Sequence, residues 1–120
     1  MAGYRVTVRV GAKVDHERVQ EIGHALLLVE HRGQALEREA SSHVVGGRLM
    51  RRFEPVQRVI GRIEVAGPRR LRAGVDVRCD GSVEAYTGRI GRRLVEQREG
   101  ESPYDALRRE LDAGPGAARG

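Results

Sequence analysis

The most restrictive feature of the sequence is a stripe of apolar and small residues that recur alternately three and four positions apart between residues 19 and 40. The stripe comprises Val19, Ile22, Leu26, Val29, Gly33, Leu36 and Ala40. This spacing follows one face of an α-helix. Asp15 can cap the start and Gly46-Gly47 can end the helix, so we predict one helix of about seven turns. Gly33 is its weakest point, because a glycine can kink or split a helix or let a partner helix approach closely.

This helix is too long for the small domain around it. Aromatic residues make up only 3% of the chain and there is no tryptophan, so the core must be built from smaller aliphatic side chains and will be thin. Thin cores often gain stability from assembly. We therefore predict that the stripe packs on another polypeptide, in a homo-oligomer or against another structural protein.

Three further segments have the period-two alternation of half-buried strands. The first, YRVTVRV, places Tyr4, Val6, Val8 and Val10 on one face and Arg5, Thr7 and Arg9 on the other. The second lies near residues 56–65 and alternates Val59, Gly61, Ile63 and Val65. The third is a hairpin whose shared face carries Val75, Val77, Cys79, Val83 and Ala85. Asp80-Gly81 between its strands favours a two-residue type I′ turn.

The C-terminal part of the chain begins a second helix. Ser102 is suited to the N-cap, Pro103 to the first helical position and Asp105 to the third. Residues 89–100 are compatible with either helix or strand. The sequence therefore predicts one α+β domain over residues 1–112, with a small antiparallel sheet, a long N-terminal helix and a short C-terminal helix. Residues 113–120 are predicted to be a flexible tail.

Residues with catalytic or metal-binding chemistry are few and do not form a site. The four histidines are too widely spaced to share an ion; they are His16, His24, His31 and His43. No serine or cysteine has a base held by a buried acid, and the hairpin carboxylates Asp76, Asp80 and Glu84 are expected to face solvent. We predict no enzyme activity, no cofactor, no metal and no small-molecule substrate.

The composition narrows the location of the protein. A single cysteine, Cys79, excludes an internal disulfide. The N terminus alternates in the manner of a strand, unlike a signal peptide, and the longest apolar run, ALLLV, is far too short for a membrane span. We expect a protein that is neither secreted nor membrane-bound, located in a virion or in the cytoplasm.

The net charge is +5 and all but one of the 22 basic residues are arginines. Nine of them flank the predicted glycine-rich loop and hairpin; they are Arg48, Arg51, Arg52, Arg69, Arg70, Arg72, Arg89, Arg92 and Arg93. These loops form a basic patch if they meet at one end of the sheet. The alternatives are a solvated face balanced by nearby glutamates, and a GC-rich composition. The aromatic residues are too scattered to stack on bases, so any nucleic-acid contact would be nonspecific and made to phosphates.

The segment HVVGGRLMRR, residues 43–52, resembles a segment that tailed-phage head–tail morphogenesis proteins of the neck, minor-tail and tail-completion type carry before a small sheet. That segment reads approximately Ala-Pro-Val-x-Thr-Gly-Arg-Leu-Arg, and the matching positions are Val44, Gly47, Arg48, Leu49 and Arg51. His43 replaces its proline and Gly46 its threonine. The C-terminal ESPYDALRREL is similar to the family's proline-containing turn and short helix, whereas EAYTGRIG only faintly echoes the segment after its sheet.

The resemblance implies a structural component of a phage-type virion head–tail junction or tail, assembled as a ring through its long helix and basic loops. Two alternatives remain open. One is a small basic domain of double-stranded-RNA-binding-like shape, in which residues 71–111 supply three strands and a closing helix. The other is a dimeric regulator or antitoxin that pairs through the apolar stripe.

Overall fold

The computed structural model describes residues 3–46, 58–88 and 91–112, with side chains for residues 3–40, 58–88 and 91–111. Its elements are β1 (Tyr4–Val10), β2 (Lys13–Val19), α1 (Ile22–Gly46), β3 (Val59–Gly67), a 3-10 turn (Pro68–Arg70), β4 (Leu71–Arg78), β5 (Val83–Thr87), β6 (Arg93–Leu94) and α2 (Pro103–Asp112). The strands form one antiparallel sheet in the order β2-β1-β3-β4-β5-β6. The predicted α+β class is confirmed.

The start of the long helix was predicted wrongly. Residues 13–19 form β2, which pairs along its whole length with β1, from Tyr4 opposite Val19 to Val10 opposite Lys13. Gly11 makes the turn at φ 61°, in the left-handed region that glycine adopts readily. Two strands therefore precede α1, and Val19 belongs to β2. The backbone hydrogen bonds with β1 stabilise residues 13–19 as a strand, although the apolar spacing typical of a helix continues to Val19.

Beyond Val19, the apolar stripe lies on α1 and faces the chain's own sheet. Leu26, Val29, Leu36 and Ala40 are each at most 6% exposed, and Ile22 packs against the same core. Six strands about 4.8 Å apart span roughly 24 Å, nearly the ~28 Å of helix from Ile22 to Ala40. The prediction that the stripe needs a second polypeptide to cover it is therefore wrong, while an oligomer as such stays a prediction.

Gly33 neither kinks nor splits α1, which runs unbroken through it. A β-carbon at this position would lie 2.3 Å from the hydroxyl oxygen of Tyr104 and 2.7 Å from Cε1 of its ring. The Tyr104 hydroxyl donates to the carboxylate of Glu37, and burial raises the pKa of the tyrosine. The predicted close approach of another helix is confirmed, but that helix is the chain's own α2.

The local signals at the hairpin and at α2 are largely confirmed. Val75 faces Ala85 and Val77 faces Val83, in a core made mainly of aliphatic residues. The turn is wider than predicted. A two-residue type I′ turn needs a positive φ at both central residues, but only Gly81 (φ 87°) has one and Asp80 does not. The Gly81 amide donates to the carbonyl of Arg78.

Cys79 lies in this turn, half-buried, rather than within a strand. At the start of α2, the Asp105 amide donates to Ser102 Oγ (3.0 Å) and the Ser102 amide donates to the Asp105 carboxylate (3.2 Å). This reciprocal pair is the predicted capping arrangement.

Candidate functional site

The two faces of the sheet differ in what covers them. α1 and α2 both pack on one face of the sheet, where they contribute to the apolar core. Within the described ranges, neither helix covers the opposite face. We call this second surface the open face. The register places on it Arg5, Thr7, Arg9, Val14, His16, Arg18, Arg62, Glu64, Ala66, Arg72, Gly74, Asp76, Arg78, Glu84, Tyr86 and Leu94, with Arg92 lying over Tyr86.

The open face concentrates positive charge. It carries seven arginines and three carboxylates, whereas the other described residues include ten basic and thirteen acidic ones. The described part of the chain therefore has a basic face on an otherwise slightly acidic body. Such a distribution attracts polyanions to one surface in a fixed orientation.

In the half of the open face formed by β3, β4 and β5, each arginine is paired with an acid. Asp76, only 8% exposed, accepts from Arg62 Nε at 2.6 Å and from Arg92 Nη2 at 3.2 Å. Arg78 pairs with Glu84 at 2.5 Å, and a longer contact of 3.5 Å joins Arg72 Nη1 to a carboxylate oxygen of Glu64. The expectation that Asp76 faces solvent is therefore wrong, because it is sandwiched between two guanidinium groups.

Tyr86 is the centre of this network. Its ring is 1% exposed, with the Arg92 guanidinium 3.8 Å from the ring centroid, and its hydroxyl donates to Glu64 at 3.2 Å. Burial raises the pKa of Tyr86, and the hydrogen bond to Asp76 raises that of Arg62. Because Arg92 covers the ring, Tyr86 offers no platform for stacking a base.

In the half formed by β1 and β2, the arginines are exposed and lack acidic partners. Among the residues that the structure describes, no carboxylate pairs with Arg5, Arg9 or Arg18. The register sets Arg5 directly opposite Arg18 and Arg9 directly opposite Arg62. Like charges in directly opposed positions destabilise a sheet, so an anion bound between them would relieve repulsion that the free protein tolerates.

The space between these opposed arginines is polar. Thr7 lies opposite His16, and Thr7 Oγ1 and His16 Nδ1 share a hydrogen bond of 3.1 Å. Both are flanked by arginine positions on the same face. The β1–β2 half therefore presents two hydrogen-bonding side chains between two concentrations of positive charge.

The predicted basic loops are only partly brought together. Arg48, Arg51, Arg52 and Arg89 lie outside the described residues. Arg69 and Arg70 are exposed in the turn after β3, both with positive φ near 60°, which is strained for residues other than glycine. Arg72 and Arg92 reach the open face, whereas Arg93 lies opposite Thr87, whose side of the sheet faces the helices.

The sequence interpretation missed the most available arginines. Arg5 and Arg9 were visible on the polar face of the YRVTVRV alternation, but a polar strand face is common and gives no sign of function. Arg18 could not be recognised while residues 13–19 were assigned to a helix. Their significance depends on which positions lie opposite one another, and pairwise register is not encoded in a single strand.

Other chemistry is sparse among the described residues. Within them, no three histidine, cysteine or acidic side chains come together as a metal site. A polar cavity of about 460 Å³ lies between β6, the following loop and α2. Its Arg109 is already held by Glu101 (2.7 Å) and by the carbonyl of Glu96 (2.8 Å), and these contacts tie α2 to the loop after β6.

Comparison of the chain with protein-family models, curated proteins and solved structures gives no match in any of the three. Neither helix of the described chain combines the length and apolar character needed to span a membrane. The function is therefore inferred from the open face.

Proposed function

We propose that this chain is a non-enzymatic nucleic-acid-binding domain that holds phosphate groups against the open face of its sheet. The observation that carries this proposal is a set of three exposed arginines, Arg5, Arg9 and Arg18, on a face with excess positive charge. No carboxylate of the described residues pairs with them. The planar guanidinium fork matches the geometry of phosphate oxygens. A polyanion would also offset the repulsion between opposed arginines.

The contacts would be made to the backbone and not to stacked bases. The one aromatic ring that the structure places on the open face is Tyr86, and Arg92 covers it. Binding through guanidinium–phosphate contacts depends little on sequence and weakens steeply with salt, because each neutralised phosphate releases counterions. We expect a low-salt binder with weak sequence preference.

The experiment that tests this proposal is a salt titration of binding to a labelled nucleic acid of mixed sequence, measured by fluorescence anisotropy. The variant in which Gln replaces Arg5, Arg9 and Arg18 tests the three arginines together. Its plot of log affinity against log salt should have a slope that is less steep by roughly three, about one for each lost phosphate contact.

A triple variant with the same change of charge is the control. Arg38, Arg93 and Arg98 are exposed and lie away from the open face, so their replacement by Gln should leave the slope nearly unchanged. Equal losses in both triple variants would mean that overall charge, and not this face, governs binding. Absence of binding by the unmodified chain at low salt would refute the proposal.

A structural component of a phage-type head–tail junction is the second candidate. Its support is the resemblance of residues 43–52, most of which lie outside the described residues, together with a basic face suited to lie beside packaged DNA. In place of the buried stripe, β2 offers an outer edge that no described strand pairs, and such edges can extend a sheet between subunits. Rings seen by electron microscopy would support this candidate, and a monomer at all concentrations in light scattering would oppose it.

The remaining alternatives fare differently. Residues 71–111 do contain three strands and a closing helix, β4, β5, β6 and α2, as the double-stranded-RNA-binding-like alternative requires, and a phosphate-binding role agrees with the main proposal. A dimeric regulator needs a free apolar stripe, and the stripe is buried. That alternative therefore loses the observation on which it depended.

A further inference from the structure

We infer that the open face binds double-stranded DNA across the minor groove, with one pair of arginines on each phosphate rim. This inference rests on the proposed function and names its ligand. The two pairs are the directly opposed residues described above: Arg5 with Arg18, and Arg9 with Arg62. In the second pair Arg62 keeps its contact with Asp76, so Arg9 makes the phosphate contact there.

The separation of the pairs is set by the strand. Within a pair, the two β-carbons lie about 5 Å apart across neighbouring strands. The guanidinium groups of Arg5 and Arg18 can therefore contact one phosphate or two adjacent ones, and Arg9 contacts the other rim. Arg5 and Arg9 are four positions apart on β1 and point to the same side, which places the pairs ~13 Å apart along the strand. The open face thus carries two compact positive charges at a fixed distance.

This distance suits the minor groove of B-form DNA. The groove is about 6 Å wide, against about 12 Å for the major groove. Phosphate centres on the two rims lie farther apart than the open width by the thickness of a phosphate group. Two guanidinium pairs ~13 Å apart at the backbone can therefore reach both rims of the minor groove, whereas the rims of the major groove would require both pairs to splay outward.

The residues between the pairs favour a duplex over a single strand. A single strand exposes its bases, and proteins that hold one usually provide aromatic rings on which the bases stack. Here the residues between the pairs are Thr7, His16 and Glu64, and the acid is engaged by the Tyr86 hydroxyl and by Arg72. A duplex keeps its bases stacked internally and presents phosphates at the rims, which is what this surface can bind.

The same geometry discriminates between duplexes. Double-stranded RNA has a wide, shallow minor groove and a deep, narrow major groove, so its minor-groove rims are too far apart for the two pairs. The described residues place no apolar wedge between the pairs, so we expect contact without insertion between base steps or kinking of the DNA.

The test compares three labelled ligands of the same sequence at low salt: duplex DNA, duplex RNA and single-stranded DNA. We expect duplex DNA to bind severalfold tighter than either of the others. An A·T-selective minor-groove ligand should displace the protein from an A·T-rich duplex, whereas bulky substituents on the major-groove edges of the bases should leave binding unchanged.

Two variants locate the contact. Arg5→Gln with Arg18→Gln removes the contacts to one phosphate rim. Arg9→Gln removes its contact to the other rim without disturbing the ion pair of Arg62 with Asp76. The double variant should lower the salt slope by roughly two and the single variant by roughly one, and each should reduce the preference for duplex DNA over duplex RNA. Arg38→Gln with Arg98→Gln is the matched control, and thermal unfolding verifies that every variant folds.

The outcomes separate the inference from the function on which it rests. Equal affinity for the three ligands, failure of the minor-groove ligand to displace the protein, or loss of binding on major-groove substitution would overturn the inference and leave phosphate binding by this face intact. If none of the three ligands binds at low salt, the proposed function fails as well.

Discussion

The two halves of the open face use the same residue, arginine, in opposite ways. In the β3–β5 half, arginines clasp carboxylates, and the partly buried Asp76 is held by Arg62 and Arg92. In the β1–β2 half, Arg5 and Arg18 face each other without an acid among the described residues. The first arrangement stabilises the sheet, and the second lowers its stability.

This difference teaches that arginine content alone does not reveal a binding surface. A guanidinium group that is already engaged by a carboxylate has to break that contact before it can bind a phosphate. An unpaired, exposed guanidinium group can bind at once, and the sheet tolerates its repulsion in the free state.

Asp76→Asn should have the largest effect, because it leaves Arg62 and Arg92 without their shared carboxylate. Hydrogen bonds to charged groups contribute more than neutral ones, so we expect a loss of about 2 kcal/mol in the free energy of unfolding. Both arginines, about a third exposed, would become available to phosphates. Urea unfolding and anisotropy should therefore show a less stable chain that binds nucleic acid more tightly.

The matched control is Glu39→Gln, which removes the same charge from an exposed position on α1. It should change neither stability nor affinity by a comparable amount. If it tightens binding as much as Asp76→Asn does, the gain reflects net charge, and the contrast between the two halves is wrong.

Tyr86→Phe should have an intermediate effect, confined to the paired half. It removes the hydroxyl that donates to Glu64 and keeps the ring under Arg92. We expect a loss of about 1 kcal/mol in the free energy of unfolding and unchanged affinity for nucleic acid, since no phosphate-binding arginine is altered. A clear loss of affinity would show that the paired half takes part in binding.

Arg18→Thr should have a smaller effect and of opposite sign. It replaces one of two opposed like charges by a residue that favours strands, so we expect the chain to gain about 0.5 kcal/mol of stability while its affinity for nucleic acid falls. Thermal unfolding and the salt titration, carried out on the same preparation, measure both changes. Destabilisation on this substitution would argue against repulsion at the opposed pair.

The smallest effect concerns a partly buried ion pair outside both halves. The hydrogen bond from Arg109 lowers the pKa of Glu101 from 4.5 to about 2. Because the folded-state pKa is depressed, this contact stabilises the chain fully above about pH 4.5, and the stabilisation is lost as the pH falls toward 2. Glu101→Gln should lower the melting temperature at neutral pH, with the difference from the unmodified chain disappearing in acid. A difference independent of pH would refute this assignment.

Several parts of the fold could be read from local patterns. Strand β1 follows from two-residue alternation, the β4–β5 hairpin from Asp80-Gly81 between alternating segments, and the start of α2 from Ser102 and Asp105 three residues apart. Each of these signals acts within a few residues of the chain, so the structure that it predicts does not depend on contacts with distant residues. The coarse α+β class follows from their order.

Only the tertiary structure decided the rest, because the deciding contacts join distant residues. Residues 13–19 became a strand when β1 supplied their hydrogen-bond partners, although the helical spacing continues through Val19. The cover of α1 comes from the chain's own sheet and from Tyr104, which meets Glu37 across 67 residues of sequence. Likewise, whether an arginine is paired or free depends on which residue the register sets opposite it, and that choice is made between strands and not within them.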